Sequence, residues 1–166
     1  MQKIEERIYE LLKKYQITLS TSESATVGMI ASMLINVPGI SAFFQEGYVT
    51  YSNAAKVKMI GVDECLIEKY GVVSREVAEN MAVCAAKTAE TKAALSVTGV
   101  AGPDGGTKEC PVGTVYIGCF FDGRVIAEHH VFSGNRLEIR ENAAKRALCL
   151  LEEVILCAKT DDERKV

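Results

Sequence analysis

The apolar residues alternate between helical spacing and short extended runs, and this alternation restricts the fold more than any other feature of the chain. Ile4, Ile8, Leu11 and Leu12 repeat at the spacing of an amphipathic helix, whereas residues 17–21 form a short run rich in β-branched residues. The same change of period recurs along the chain and predicts the element order α-β-α-β-α-α-β-β-β-α. This order favours the α/β class, with a mixed, mostly parallel sheet of about five strands and helices on both faces.

Turn and capping residues predict where the elements begin and end. Asn53, Asp63, Ser74 and Asn135 are predicted N-caps, and Asp122-Gly123 is predicted to be the turn of a β-hairpin. The predicted strands cover residues 17–21, 47–51, 93–98, 114–121 and 124–132. We find no repeat or linker and expect one domain over residues 1–158, followed by a charged, frayed tail at 159–166.

Charge and composition exclude several classes of protein. The 19 basic and 22 acidic side chains give a net charge of −3, which argues against a nucleic-acid partner. No apolar run reaches the roughly 18 residues of a membrane span, and the N-terminus lacks the pattern of a secretory signal. The six cysteines never approach CxxC spacing, so we interpret them as reduced, buried residues of a cytoplasmic protein without a metal or another cofactor. The apolar helices weakly favour a homo-oligomer.

Three polar segments, residues 22–26, 51–56 and 98–107, follow predicted strands. Ligands of open α/β sheets bind at the carboxyl ends of the strands, so these segments are candidate site residues. Ser24 lies in a strand-to-helix turn, where a hydroxyl group can meet free N–H groups that would stabilise an oxyanion. The alternative is that Ser24 is only an N-cap residue.

A serine nucleophile needs a base, and the two histidines, His129 and His130, lie in a predicted strand far from the polar segments. Lys56 is the remaining candidate, because a lysine desolvated in a crevice can lose its proton near neutral pH. The alternative is an ordinary surface lysine on a short helix. Arg136 and Arg140 share a helix face and are either an anion site or surface charge.

The glycine-rich loop at 98–107 matches neither the P-loop nor the dinucleotide-binding pattern. Its backbone amides could approach a phosphate or a planar ring, and a purely structural Ω-loop is the alternative.

Several segments together resemble the CinA C-terminal domain family, which includes the stand-alone nicotinamide-nucleotide amidases (PncC). The similarity extends from about residue 5 to residue 157. The segments that carry it are Glu23-Ser-Ala-Thr-Val-Gly28, Val37-Pro-Gly-Ile-Ser41, Gly47-Tyr-Val-Thr-Tyr-Ser-Asn53 with Lys56, Gly71-Val-Val-Ser74, Val97-Thr-Gly-Val-Ala-Gly-Pro-Asp-Gly-Gly-Thr107 and Pro111-Val-Gly-Thr-Val115.

The resemblance implies a three-layer α/β/α sandwich and an amidase that converts nicotinamide mononucleotide to nicotinate mononucleotide and ammonia. It implies that Ser24 is the nucleophile, that Lys56 is the base and that Tyr51 belongs to the catalytic group. It implies no metal and no cofactor, and it predicts a stand-alone form without the N-terminal domain of full-length CinA. The residues expected to contact the nucleotide are Thr26, Thr98, Gly99, Gly102, Thr107, Arg136 and Arg140.

The chain departs from the family pattern at Val27, where the family has glycine. If the turn requires a positive φ, valine is strained and crowds the ligand, and glycine would raise turnover. If Val27 belongs to the helical stripe with Ile30, Ala31 and Leu34, it is a core residue and glycine would lower stability. The crowding interpretation also favours an alternative function, a non-catalytic binding protein for a pyridine nucleotide or another phosphorylated ligand.

Overall fold

The structure, a computed structural model, describes residues 2–163. Six α-helices and five β-strands lie within this part of the chain. They are α1 (Ile4–Tyr15), β1 (Leu19–Glu23), α2 (Met29–Leu34), β2 (Phe44–Val49), α3 (Asn53–Ile60), α4 (Glu64–Tyr70), α5 (Arg75–Thr88), β3 (Ala93–Gly99), β4 (Thr114–Phe121), β5 (Arg124–Val131) and α6 (Arg136–Glu163), with a short 3₁₀ helix at Ile40–Ala42. The tail predicted at 159–166 is described only in part, because α6 includes residues up to Glu163 and residues 164–166 lie outside the described residues.

The strands form one sheet in the order β2-β1-β3-β4-β5. β1 is parallel to both of its neighbours, whereas β4 is antiparallel to β3 and to β5. Four strands therefore run in one direction and β4 alone runs in the other, which confirms the predicted mixed sheet. Helices α1, α2 and α6 cover one face, and α3, α4 and α5 cover the other, so the fold is a three-layer α/β/α sandwich.

The two faces of the sheet have different cores. The larger core joins α1, α2 and α6 to the sheet through Leu12, Leu34, Leu95 and Leu148 and many smaller side chains. A smaller cluster packs α3 and α4 against α5 and is built from Ile60, Val62, Ile67, Val77 and Met81. A third cluster, Ala85, Ala86 and Ala94, packs α5 against β3. The described part of the chain therefore has one large core on the side of α1, α2 and α6 and two small clusters on the other side of the sheet.

Small residues let α5 lie close to the sheet. Ser96 of β3 donates a hydrogen bond from Oγ to the carbonyl of Ala78 on α5, at 2.6 Å. A Cβ atom at Gly118 of β4 would come within 2.4 Å of that same carbonyl oxygen, so only glycine fits there. The polar and small character of these strands thus follows from the close approach of the helix.

Several element boundaries differ from the prediction. β1 begins at Leu19 and runs to Glu23, two residues beyond the predicted strand, because Ser22 and Glu23 are buried with polar partners. The N-cap of α3 is Ser52 rather than Asn53, since the Ser52 hydroxyl accepts from the N–H of Ala55 at 3.0 Å. The predicted caps at Asp63, Ser74 and Asn135 are confirmed by hydrogen bonds to the first turn of their helices.

The cysteines are less buried than predicted. All six thiols are free, but only Cys119 is buried, and Cys65 and Cys157 are exposed. The apolar stretches that contain them lie on amphipathic elements, and several of these positions face outward. Among residues 2–163, no helix has the length and apolar character needed to cross a membrane.

Candidate active site

The structure brings Ser24 and Lys56 together at the carboxyl end of β1. Ser24 follows directly after this strand, and Lys56 lies in the first turn of α3. The Lys56 Nζ atom is 3.1 Å from the Ser24 Oγ atom, although 32 residues separate the two in the sequence. A hydroxyl and an amine at this distance can exchange a proton.

Lys56 is the largest fully buried side chain among the described residues. Its Nζ atom donates to the carbonyl of Thr50 at 2.8 Å, and no carboxylate forms an ion pair with it in residues 2–163. Burial lowers the pKa of the Lys56 amine from 10.5 to about 8, because the charged form loses its hydration. At pH 7 roughly one amine in ten is therefore neutral and able to act as a base.

The carboxylate of Glu23 fixes the turn that carries Ser24. Glu23 is buried at the end of β1, and its two oxygens accept from the N–H groups of Ile30, at 3.1 Å, and Ala31, at 3.0 Å. The Ser24 N–H donates to the carbonyl of Val97 at 2.9 Å. These amides are therefore occupied, and the first turn of α2 is not open to an external anion.

Fewer backbone N–H groups around Ser24 are therefore available to bind an oxyanion than the sequence predicted. The N–H groups of Ala25 and Thr26 have no hydrogen-bond acceptor among the described residues. They lie beside the nucleophile in sequence, and the N–H groups of Val27 and Gly28, further along the turn, likewise have no acceptor among residues 2–163. Of these residues only Ala25 lines the cleft, so its N–H is the candidate donor for an oxyanion formed at Ser24.

Arg140 holds the same turn from the opposite side. Its Nε atom donates to the carbonyl of Ala25 at 2.9 Å, and its Nη2 atom donates to the carbonyl of Thr26 at 3.1 Å. Arg136, one helical turn earlier, donates instead to the carbonyl of Gly102 and lies at the edge of a cleft. The two arginines, which share a helix face, thus have different environments.

The cleft beside Ser24 has a volume of about 370 Å³, within the usual range for sites that bind small molecules. The ends of β1 and β3, the start of α3 and the loop after β3 form its walls. The residues that line it are Ser24, Ala25, Tyr51, Asn53, Lys56, Val72, Val73, Thr98, Gly99, Val100, Ala101, Gly102, Asp104, Gly105 and Arg136. A second cavity of about 320 Å³ lies at the β4–β5 hairpin and the end of α6, far from the serine and the lysine.

Seven of the ten predicted site residues line the cleft: Ser24, Tyr51, Lys56, Thr98, Gly99, Gly102 and Arg136. The other three, Thr26, Thr107 and Arg140, do not. Thr26 is fully buried beneath the turn, and its hydroxyl has no partner among the described residues. Thr107 is exposed and closes a turn through its hydroxyl, which accepts from the N–H of Cys110 at 3.0 Å.

Tyr51 and Thr98 both line the cleft, but the side chain of Tyr51 is exposed and that of Thr98 is buried. Tyr51 is 62% exposed, and the contact with Ser24 is made by its backbone carbonyl, 3.5 Å from Oγ, and not by its phenol. Thr98 is buried, and its hydroxyl donates to the carbonyl of Val72 at 2.8 Å. Thr98 therefore shapes the wall and holds the segment with Val72 and Val73, which the sequence analysis included in the family resemblance but did not predict to be part of the site.

The structure supports the strain predicted at Val27 but not the predicted crowding of a ligand. Its φ is +48°, in the left-handed region, and its side chain is 41% exposed, so it is not a core residue of α2. It does not line the cleft, however, and so it does not crowd a ligand there. Gly28, the next residue, has a φ of +84° and is the N-cap of α2.

No group of three or more histidine, cysteine or carboxylate side chains is placed to hold a metal ion in the described part of the chain. His129 and His130 lie on β5, as predicted, where His129 stacks on Tyr116 and His130 contacts Glu128.

The sheet order and the cleft at the ends of its parallel strands define a three-layer α/β/α protein with a buried serine–lysine pair. The model of the CinA C-terminal domain matches residues 1–155, and the chain belongs to this family. A competence-damage inducible protein of Clostridium beijerinckii is 48% identical over 153 residues, and a CinA-like protein of Kosmotoga olearia is 45% identical over 153 residues. Each alignment covers 92% of this chain but 37% of the relative, so the chain spans little more than a third of these curated relatives.

Solved structures share the whole fold. The competence/damage inducible protein CihA of Agrobacterium tumefaciens is 36% identical, with a TM-score of 0.87 over 90% of this chain and 92% of that one. A CinA superfamily protein of Escherichia coli is 32% identical, with a TM-score of 0.86 over 92% of this chain and 90% of that one.

Proposed function

We propose that the cleft hydrolyses the carboxamide of nicotinamide mononucleotide and releases nicotinate mononucleotide and ammonia. The observation that carries this proposal is the buried amine of Lys56, 3.1 Å from the hydroxyl of Ser24 and without an acidic partner in the described part of the chain. A desolvated amine of this kind is a suitable base for a serine nucleophile, which has no histidine nearby.

In the first half of the reaction, neutral Lys56 accepts the Ser24 proton as Oγ bonds to the amide carbon. The positively charged pyridine ring withdraws electrons and makes this carbon more electrophilic than that of a peptide. The N–H group of Ala25, which lines the cleft, receives the oxyanion, an interaction typically worth about 3 kcal/mol. The Lys56 ammonium then gives its proton to the amide nitrogen, the C–N bond breaks and ammonia leaves.

In the second half, Lys56 is again neutral and takes a proton from a water molecule that attacks the acyl-serine. The ester C–O bond breaks, Lys56 returns the proton to Ser24 Oγ, and the product is a carboxylic acid that releases its proton to the solvent and leaves as a carboxylate. Arg136, at the edge of the cleft, is the candidate contact for the phosphate of the nucleotide. Thr98, Gly99 and Gly102 form the wall against which the rest of the substrate would lie.

The alternative, a binding protein that does not turn its ligand over, was favoured by a crowded site at Val27. Since Val27 does not line the cleft, that argument has lost its support.

The test is ammonia release from nicotinamide mononucleotide by the purified protein. We expect release by the wild type, none above background by Ser24→Ala, and wild-type release by Ser32→Ala, a matched control at an exposed serine of α2. Because the neutral amine is the active form, kcat/KM should rise about tenfold per pH unit below the Lys56 pKa of about 8 and level off above it. A wild-type protein that releases no ammonia, or an active Ser24→Ala variant, would refute the proposal.

A further inference from the structure

The orientation of the Lys56 amine is a separate question from its distance to Ser24. A neutral amine has one lone pair and two N–H bonds, and the lone pair must face the Ser24 hydroxyl for proton transfer. The 2.8 Å bond from Nζ to the Thr50 carbonyl holds one N–H away from Ser24. The position of this carbonyl therefore determines which way the lone pair points.

Thr50 is itself held at two points on β1. Its N–H donates to the carbonyl of Glu23 at 3.0 Å, and its Oγ1 atom lies 3.0 Å from the Oγ atom of Ser22. Both hydroxyl groups are fully buried. Ser22 is two residues before Ser24, and its hydroxyl partner, Thr50, is the residue whose carbonyl accepts from the Lys56 Nζ atom. The Ser22–Thr50 hydroxyl pair thus lies next to Ser24 and Lys56 without touching the cleft.

We propose that the Ser22–Thr50 hydroxyl pair is a positioning device that orients the Lys56 amine toward Ser24 by fixing the Thr50 carbonyl. Ser22 and Thr50 are positioning residues, since neither lines the cleft. The claim about activity depends on the proposed function, whereas the claim about the amine does not.

Few other charges face the amine. Tyr51, Asp104 and Arg136 are the remaining titratable or cationic residues of the cleft lining, and none is within hydrogen-bond distance of Nζ. The Glu23 carboxylate is engaged by the amides of α2. The Thr50 carbonyl is therefore the principal group that stabilises the protonated amine, and its displacement from the amine should lower the Lys56 pKa further.

The experiment compares Thr50→Val with Thr91→Val. The second variant is a matched control, because Thr91 Oγ1 forms the same kind of buried hydroxyl pair with Ser20 of β1, at 2.9 Å, away from the cleft. Lysine labelled with ¹³C at Cε gives the Lys56 titration by nuclear magnetic resonance, and the signal missing from Lys56→Met identifies it. Steady-state ammonia release gives kcat and KM in parallel.

For Thr50→Val we expect a Lys56 pKa lower by about half a unit or more, because the Thr50 carbonyl is no longer fixed by the hydroxyl pair and accepts less well from the protonated amine. We expect kcat on the plateau above pH 8 to be lower by about tenfold with KM within about twofold, because there the amine is neutral in both proteins and only its orientation for proton transfer differs. Thr50→Ser should restore both quantities, and Thr91→Val should change neither. If Thr50→Val does not fold, Ser22→Ala breaks the same bond from β1 and should give the same results.

An unchanged Lys56 titration in Thr50→Val or Ser22→Ala would overturn the proposal, whatever happens to kcat. If Thr91→Val changed the Lys56 pKa and kcat as much as Thr50→Val does, the proposal would also be wrong, because the changes would then follow from the loss of any buried hydroxyl pair. If the wild type releases no ammonia, the proposed function fails, but a shifted Lys56 titration in Thr50→Val still supports the positioning role.

Discussion

Val27 is a β-branched residue whose backbone lies in the left-handed region. Whether glycine or alanine is the more stable substitution at this position depends on that conformation. An L-residue in this region costs about 1 to 2 kcal/mol relative to glycine, with β-branched residues at the upper end. Glycine recovers that strain but gives back about 0.4 to 1 kcal/mol through the entropy of the unfolded chain. The informative comparison is therefore between Val27→Gly and Val27→Ala, which both remove the exposed isopropyl group.

At the observed φ of +48°, we expect Val27→Gly to be more stable than Val27→Ala by about 1 kcal/mol. In a chain of this length that difference is about 2 to 4 °C in the melting temperature. Inside a helix the order would be reversed, because glycine is about 1 kcal/mol worse than alanine there. Relative to the wild type, Val27→Ala should lose up to about 1 kcal/mol of partial burial, and Val27→Gly should be nearly neutral.

Thermal unfolding by circular dichroism measures this order, and ammonia release measured on the same samples gives kcat/KM. Since Val27 does not line the cleft, we expect kcat/KM of both variants to stay within about twofold of the wild type. An alanine variant more stable than the glycine variant would show that Val27 is helical and would refute the strain argument. A large gain in kcat/KM for the glycine variant alone would show that this turn does contact the substrate.

Two further predictions concern the buried cation and the paired arginines. Lys56→Met should abolish ammonia release yet raise the melting temperature at pH 7, because it removes a desolvated charge. The folded pKa of about 8 lies below the ordinary value of 10.5, so wild-type stability should rise between pH 8 and pH 10.5, and this rise should be absent in Lys56→Met. Arg136→Ala should raise KM for the mononucleotide much more than for nicotinamide riboside, which lacks the phosphate, because Arg136 lines the cleft. Arg140→Ala should instead lower the free energy of unfolding by about 1 kcal/mol or more, because two hydrogen bonds are lost, and it should weaken the binding of both substrates equally. If both arginine variants lost the preference for the mononucleotide over the riboside to the same extent, the assignment of different roles to Arg136 and Arg140 would be wrong.

The sequence was a good guide to the fold wherever local patterns decide the structure. The two hairpin strands are joined by Asp122-Gly123, where both residues have a positive φ, a conformation that Asp-Gly adopts readily. β4 accordingly has the predicted bounds. The boundary of β1 was wrong because Ser22 and Glu23 look like turn residues. Only tertiary partners, the Thr50 hydroxyl and the amides of α2, make a buried strand of them.

The difference between local patterns and tertiary partners also explains which site residues could be predicted. Ser24 and Lys56 follow predicted elements whose carboxyl ends must meet at one edge of the sheet, so their proximity could be predicted; their catalytic role stays a prediction. The position of Arg140 could not be predicted, because its partners, the carbonyls of Ala25 and Thr26, are more than a hundred residues away in sequence. Thr50 was missed because a threonine that ends a strand gives no local sign that its carbonyl holds a lysine.

The separation of the large core on one face of the sheet from the small cluster under α3 and α4 on the other has a consequence for heat inactivation. The turn that carries Ser24 adjoins the larger cluster through Ala25, whereas α3, which carries Lys56, packs on the smaller one through Ile60. Proteins open in cooperative units of different stability, and a helix on a small cluster belongs to a unit that opens at lower free energy. Partial opening of α3 would separate the amine from the hydroxyl while the sheet stays intact. Catalytic competence would then be lost at temperatures at which the far-ultraviolet spectrum is still nearly native, and it would return on cooling without refolding of the sheet.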